Sequence, residues 1–284
     1  MAKTILETLE HGITGFTGAQ KRVADYILKN PSEVAFMTIE TLAKHSGISV
    51  ATIMRLAYAL KYEGYSDMQR DLQKIVLMRL SPSNRFAANL RKLSNNKLLT
   101  QCAENQIANI RRTVDFISDE VAAASVEMVL AAEKVYIVGL KSSGSIASFL
   151  YEGFNRIGID CELLLPETSR LIAQLARMTD RSLVIAISFP RYVRRTIEIA
   201  TTAKERRAKI LAITDGHSSP LAPVADLFLT CAFETLSFHS STLGAIFAAD
   251  YLITAVSLHD TQKVRRELES IDPILHEMDT NILK

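Results

Sequence analysis

The sequence predicts an all-α helix-turn-helix domain followed by an α/β domain, a five-stranded parallel sheet sandwiched by helices. Three observations carry this. Thr38 to Tyr65 holds two short amphipathic helices with a glycine at the turn between them. From Lys134 onward, five short apolar β-rich runs alternate with helical stretches, which is the pattern of a parallel sheet covered on both faces. Finally, 284 residues exceed the commonest single-domain size, and a 48% hydrophobic content suffices for two cores.

Taken in order, Thr17 to Lys29 reads as a helix capped by Thr17, with Val23, Ile27 and Leu28 as its apolar stripe. Asn30-Pro31 ends it, because the residue before proline is pushed out of the helical region. A short helix around Ser32 to Phe36 follows, then Ile39 to His45, Val50 to Lys61 and about Ser66 to Leu80. Ser81-Pro82-Ser83-Asn84 is the best linker candidate. Leu98 to Phe116 and Asp119 to Ala132 read as two more helices, the second capped by Ser118. The expected strands are Val135–Val138, Cys161–Leu165, Leu183–Ile187, Ile210–Ile213 and Leu227–Thr230, with a helix from Ile146 after the first. The expected division is therefore residues 1–80 as the helix-turn-helix domain, 81–97 as linker and 98–284 as the α/β domain.

Composition excludes several classes. The net charge is +2, and that excess sits in residues 1–80, which hold ten Lys/Arg against eight Asp/Glu. Phosphate binding would thus have to come from a local basic face rather than bulk charge. Cys102, Cys161 and Cys231 form no CxxC pair, which argues against a disulfide framework or a structural zinc and fits reduced thiols in the cytoplasm. The longest apolar stretch, Leu243 to Leu258, contains Asp250 and is too short to span a bilayer, so it reads as a buried helix.

Within the helix-turn-helix, Thr38 caps a first helix whose Leu42 and Ala43 face inward. Gly47 supplies positive φ in the turn, Ile48 plugs the core, and Ser49 caps a second helix with Ile53, Leu56 and Leu60 buried. This leaves Ser49, Ala51, Thr52 and Arg55 on one exposed face at the end that enters the major groove in such motifs. Arg55 can donate to guanine O6/N7 or to a phosphate, and Thr52 can meet a base edge or a thymine methyl. Lys44, Ser46 and Lys61 are candidates for phosphate contacts.

The stretch Thr17 to Leu72 resembles the N-terminal domain of the RpiR family of bacterial regulators. The family string T-I-x-x-L-A-x-x-x-G-x-S-x-A-T-I-x-R is matched from Thr38 to Arg55. Leu60-Lys61-Tyr62-Glu63-Gly64-Tyr65 stands where the family has L-G-[YF]-x-G-[YF], with Lys61 in place of glycine. The resemblance implies double-stranded DNA as a partner.

In the second domain, Gly139-Leu140-Lys141-Ser142-Ser143-Gly144-Ser145 links the first strand to a helix. It is either an anion site at a helix N-terminus or an ordinary capped turn. Residues from about Leu98 to Leu258 resemble a SIS (sugar isomerase) domain of flavodoxin-like fold. Its G-x-G-x-S signature is met by Gly139 and Ser143, with Lys141 replacing the second glycine. Its S-x-S-G-x-T signature is met by Ser188 alone, since Pro190, Arg191 and Val193 replace Ser, Gly and Thr. The resemblance implies a sugar-phosphate ligand. The exchange of hydroxyls for a guanidinium keeps a sugar acid open as well, and a surface role for Arg191 is the alternative. Lys141, Ser142, Ser143, Ser188, Arg191, Tyr192, Glu234 and Ser240 are the candidate ligand residues, although Ser240 or Ser241 also suits a helix cap. Glu234, His217 and His239 are the only nominees for acid–base catalysis, and nothing in the sequence gives them that environment.

The expectation is a cytoplasmic, non-enzymatic DNA-binding regulator, a homodimer or homotetramer without cofactor or metal, whose SIS domain senses an anionic carbohydrate metabolite. The alternatives are a SIS-type isomerase and a metabolite-binding adaptor.

Overall fold

The computed structural model describes residues 4–277 except positions 13, 14, 36, 80, 91, 92, 94–96, 167, 168 and 218. The chain forms two compact units, one of Met1–Leu93 with His217–Ser219 and Ser237–His239, the other of Ser94–Gly216, Pro220–Leu236 and Ser240–Lys284.

The first unit is helical: α1 (Ile5–Gly12), α2 (Gly18–Lys29), α3 (Pro31–Val34), α4 (Ile39–Ser46), α5 (Val50–Ala59), α6 (Tyr65–Arg79) and α7 (Pro82–Leu90). Thr17 starts α2 with a full capping box, accepting from the Gln20 amide at 3.4 Å while its own amide donates to Gln20 Oε1 at 2.9 Å. Leu9, Val23, Ile27, Leu42, Ile53, Leu56, Met68 and Leu72 form one buried core. The Tyr65 hydroxyl donates to the Met37 carbonyl at 2.8 Å, and Gln73 Nε2 donates to the Ala35 carbonyl at 2.8 Å. These bonds tie α6 to the segment that introduces α4. The expected short helix is Pro31–Val34, and Phe36 and Leu80 lie outside the described residues.

Ser81-Pro82-Ser83-Asn84, the linker candidate, is where α7 begins, with the Ser81 hydroxyl accepting from the Asn84 amide at 3.3 Å. Proline lacks the N–H that a first helical residue would leave unpaired, so Pro82 suits that position.

The second unit comprises α8 (Leu98–Phe116), α9 (Asp119–Ala131), β1 (Lys134–Gly139), α10 (Ser142–Arg156), β2 (Cys161–Leu163), α11 (Ser169–Ala176), β3 (Ser182–Ile187), α12 (Arg194–Glu205), β4 (Lys209–Thr214), β5 (Leu227–Thr230), α13 (Leu243–His259) and α14 (Thr261–Glu277). All strand pairs are parallel, in the order β2-β1-β3-β4-β5. That order is the flavodoxin-like one. Alternate residues face opposite sides. Ile137, Ile185 and Ile213 join the core with α9, α10 and α13, while Val138, Ala186 and Ala212 face α11 and α12. The longest apolar stretch is α13, with Ala248, Ala249 and Leu252 buried. No helix among the described residues is long and apolar enough to cross a membrane.

Candidate functional site

In the first unit, Thr38 caps α4 by accepting from the Thr41 amide at 3.2 Å. Gly47 ends the helix at φ 66, a left-handed conformation that favours glycine. Ile48 then donates its amide to the Ala43 carbonyl at 3.1 Å and buries its side chain. These steps set the turn, and α5 starts at Val50.

The exposed edge of this motif carries Lys44, Ser49, Ala51, Arg55 and Lys61, while Ser46 is half-buried and bonds the Leu42 carbonyl at 2.6 Å. Thr52 departs from expectation. It is 8% exposed, because it shares the inward stripe with Ile53, Leu56 and Ala57. Its hydroxyl lies 3.0 Å from Ser49 Oγ and accepts from the Arg55 guanidinium at 3.2 Å. Ser49 accordingly does not cap α5 with its side chain. Instead Ser49, Thr52 and Arg55 form a chain that fixes the direction of the guanidinium.

Lys61 follows α5 at φ 68. Its amide donates to the Tyr58 carbonyl at 2.9 Å and the Tyr62 amide reaches the Ala57 carbonyl at 3.0 Å, closing a glycine-type helix end around a lysine.

In the second unit, strand register decides which loops meet. Gly139 pairs with Ile187 and Ile187 with Ile213, so the chain leaves β1, β3 and β4 at the same level. The strand order reverses between β1 and β3, and open sheets place ligands in that crevice at the carboxyl ends of the strands. Lys141 stands two residues past Gly139, Ser188 one residue past Ile187, and Asp215 two residues past Ile213.

Gly139 is required by close approach. A Cβ there would lie 2.3 Å from the Ser143 carbonyl oxygen. α10 starts at Ser142, four residues before the expected Ile146. The Ser143 and Gly144 amides donate to Leu140 and Lys141 carbonyls at 3.1 and 3.0 Å, so those two donors are turned into the helix start rather than left open. Ser143 is buried, and Lys141 and Ser142 are exposed.

Lys141 has φ 56 and Arg191 has φ 75. Both stand where the SIS signatures carry glycine, as Lys61 does in the helix-turn-helix pattern. At all three positions a cation adopts a positive φ, a conformation that favours glycine. Non-glycine residues persist there only when the surroundings determine the backbone. Among the described residues neither Lys141 nor Arg191 has an ion-pair partner, whereas Arg195 pairs with Glu198 at 3.3 Å.

Ser188 is buried, with its amide 3.2 Å from the Ile213 carbonyl and its carbonyl accepting from the Thr214 hydroxyl at 2.7 Å. The Tyr192 hydroxyl donates to Asp215, 2.8 Å from Oδ2 and 3.1 Å from Oδ1. Burial pushes the Asp215 carboxyl up to about 6, against the pull of the Tyr192 hydroxyl, its backbone amide and Thr214. Sequence reasoning missed Asp215: Thr214-Asp215-Gly216 reads as a turn.

Glu234 and Ser240 lie on the segment after the edge strand β5. That segment touches the β3 loop through Phe189 and Phe233, whose ring centroids are 6.2 Å apart. Thr242 stands at the cap position of α13 without a side-chain capping bond, and it is Ser241 Oγ, one of the two expected caps, that accepts from the Leu243 amide at 3.3 Å. Glu234, His217 and His239 are exposed, so no enclosed acid–base site forms around them. A separate cleft of about 380 Å³ opens at the other ends of β3 and β4, beside Asp180, Arg181, Lys209 and Asp226. Its two cations are already paired, Lys209 with Asp226 and Arg181 with Glu133. The switch-point crevice, whose cations Lys141 and Arg191 have no ion-pair partner among the described residues, is the better candidate.

Residues 3–76 match the helix-turn-helix domain of the rpiR family, and residues 128–255 match the SIS domain. The sugar isomerase domain of an RpiR transcription factor from Sphaerobacter thermophilus is 30% identical, with a TM-score of 0.60, covering 62% of this chain and 99% of that one. The chain belongs to the RpiR family. It is a helix-turn-helix transcription regulator with a SIS domain. Similarity to known proteins extends over nearly the whole chain. The HTH-type transcriptional regulator HexR of Pseudomonas aeruginosa is 25% identical across 98% of this chain and 99% of its own. The Vibrio vulnificus NanR protein complexed with ManNAc-6P shares the fold with a TM-score of 0.68 at 23% identity, covering 97% of this chain and 99% of that one.

Proposed function

We propose that this regulator binds a pseudo-palindromic operator as a homo-oligomer and releases or engages it on binding an anionic carbohydrate metabolite, a sugar phosphate or a sugar acid, in the SIS crevice. In this reading residues 1–80 bind DNA, 81–97 connect, and 98–284 sense the effector. Arg55, steadied by Thr52, reads a base edge, with Ser49 and Ala51 beside it and Lys44, Ser46 and Lys61 along the phosphates. The effector lies against Lys141, Ser142, Ser143, Ser188, Arg191 and Tyr192, and the segment bearing Glu234 and Ser240 closes over it. The role is regulatory rather than catalytic, in the cytoplasm.

One observation carries the effector reading: two cations without an ion-pair partner among the described residues, Lys141 and Arg191, stand at adjoining loops of the switch point in backbone conformations that cost energy. An effector acts only if it binds the two DNA-binding arrangements with different affinity. The test is calorimetry against ManNAc-6P, glucose 6-phosphate and gluconate, with footprinting on the DNA beside its own gene. Saturable binding of one compound that shifts the footprint supports the reading. No binding in the panel together with no sequence-specific footprint overturns it.

A further inference from the structure

The loop Ser188 to Tyr192 is pinned at both ends by the end of β4. At the first end, the Ser188 amide meets the Ile213 carbonyl and its carbonyl receives the Thr214 hydroxyl. At the other, the Tyr192 hydroxyl is donated to the Asp215 carboxylate, across 23 residues of sequence. Between the pins stand Phe189, Pro190 and Arg191. Pro190 has a fixed φ, and Arg191 is held at φ 75, where a side chain crowds its own backbone. Such a residue relaxes unless its neighbours prevent it.

We infer that Asp215 is a positioning residue for the effector site, holding the Arg191 guanidinium at the crevice mouth by gripping the next residue, Tyr192. The inference deepens the effector reading, since it concerns the same loop. Asp215 itself is screened from the crevice: it is largely buried, and the groups facing it are the Tyr192 hydroxyl, the Thr214 hydroxyl and, from the segment after β5, the Cys231 thiol. A carboxylate withdrawn from water holds its remaining donors strongly, so the Tyr192 hydroxyl is a firm anchor. The carboxyl of about 6 leaves it mostly ionised at neutral pH, which strengthens that bond. Phe189 against Phe233 adds an apolar contact to the same loop.

Two measurements on the full chain at pH 7 test this. The first, amide hydrogen exchange without any ligand, follows residues 189 and 191–193. Tyr192→Phe and Asp215→Ala should each speed exchange there by about tenfold, with the β3 and β4 amides unchanged. The double variant should be no faster than Asp215→Ala alone, since Tyr192→Phe removes a bond that Asp215→Ala has already removed. Asp215→Asn keeps an acceptor and should restore most of the protection. Unchanged loop exchange in Tyr192→Phe and Asp215→Ala overturns the inference. The second measurement uses ManNAc-6P, and inorganic phosphate as the bare anion. Each single variant should weaken binding about tenfold. In an Arg191→Ala background Asp215→Ala should not weaken it further. An equal additional loss in that background would assign Asp215 a general structural role and overturn the inference. A wild-type chain that binds neither probe would count against the effector reading, while the exchange result would still decide whether Asp215 holds the loop.

Discussion

Asn109 in α8 donates its side-chain amide to the Glu234 carbonyl at 2.7 Å, 125 residues away in sequence. Arg112 donates to Asn109 Oδ1 at 3.1 Å, Thr113 Oγ1 accepts the Ala232 amide at 3.0 Å, and Ser241 donates to Gln106. One face of α8 thereby holds the segment after β5 that is proposed to close the crevice. Asn109 is wholly buried, so its loss leaves a carbonyl short of a donor. Asn109→Ala should destabilise the SIS unit by about 1–3 kcal/mol. Chemical denaturation followed at that transition checks this, and a change below a few tenths would show that the contact is not formed in solution.

Arg55→Ala should cost roughly 1–3 kcal/mol at one base position if the guanidinium reads a base. Thr52→Val keeps the buried shape but removes the hydroxyl that steadies Arg55. Its loss should be smaller and should vanish in Arg55→Ala, because both act through one group. Binding measured against a set of single-base operator variants distinguishes this from a phosphate contact, which would weaken every sequence alike.

Lys61→Gly should stabilise the helix-turn-helix unit by about 1 kcal/mol, because a left-handed residue with a Cβ is replaced by one without. The same change removes a cation, and the slope of log affinity against log salt should fall by about one if Lys61 touches a phosphate. More stable protein with weaker, less salt-sensitive DNA binding is the expected pair of results. A destabilised variant would mean that the lysine makes contacts outweighing its backbone strain.

The β-strands were legible because a parallel strand buried on both faces is written as a continuous apolar run, as in Leu183 to Ile187. The helix-turn-helix was legible because Thr38, Gly47 and Ile48 have local roles. Less readable were features set by tertiary contacts. The start of α10 looked like loop because Ser142-Ser143-Gly144-Ser145 is small and polar, yet Ser143 is drawn into the core. Thr52 looked exposed by residue type, but its helical phase buries it. Helices α1 and α14 lay outside the sequence assignment altogether. Asp215 could not be found locally, since its partner Tyr192 arrives from the neighbouring strand's loop. The three cations at glycine positions were visible as departures from pattern, whereas the retained positive φ was not.

Asp215 also fixes the sign of one pH effect. Burial raises its carboxyl from 3.8 to about 6, so the folded chain holds this proton more tightly than the unfolded chain does. Between those values the folded state binds more protons, and stability contributed by this group is present at the acid end and lost as pH rises toward 6. A shift of about two units corresponds to roughly 3 kcal/mol. Glu162 runs the other way. Its bond to Lys134, then those to Gln174 and Arg170, draws it from 4.5 to about 2, so its contribution is present above 4.5 and is lost as pH falls toward 2. From pH 4.5 to 6 the two effects separate. Thermal unfolding of wild type and Asp215→Asn across that window should show the variant gaining relative stability as pH rises. Glu162→Gln should run parallel to wild type there and diverge only below 4.5. Parallel curves for wild type and Asp215→Asn would show that Asp215 is better solvated than its burial implies.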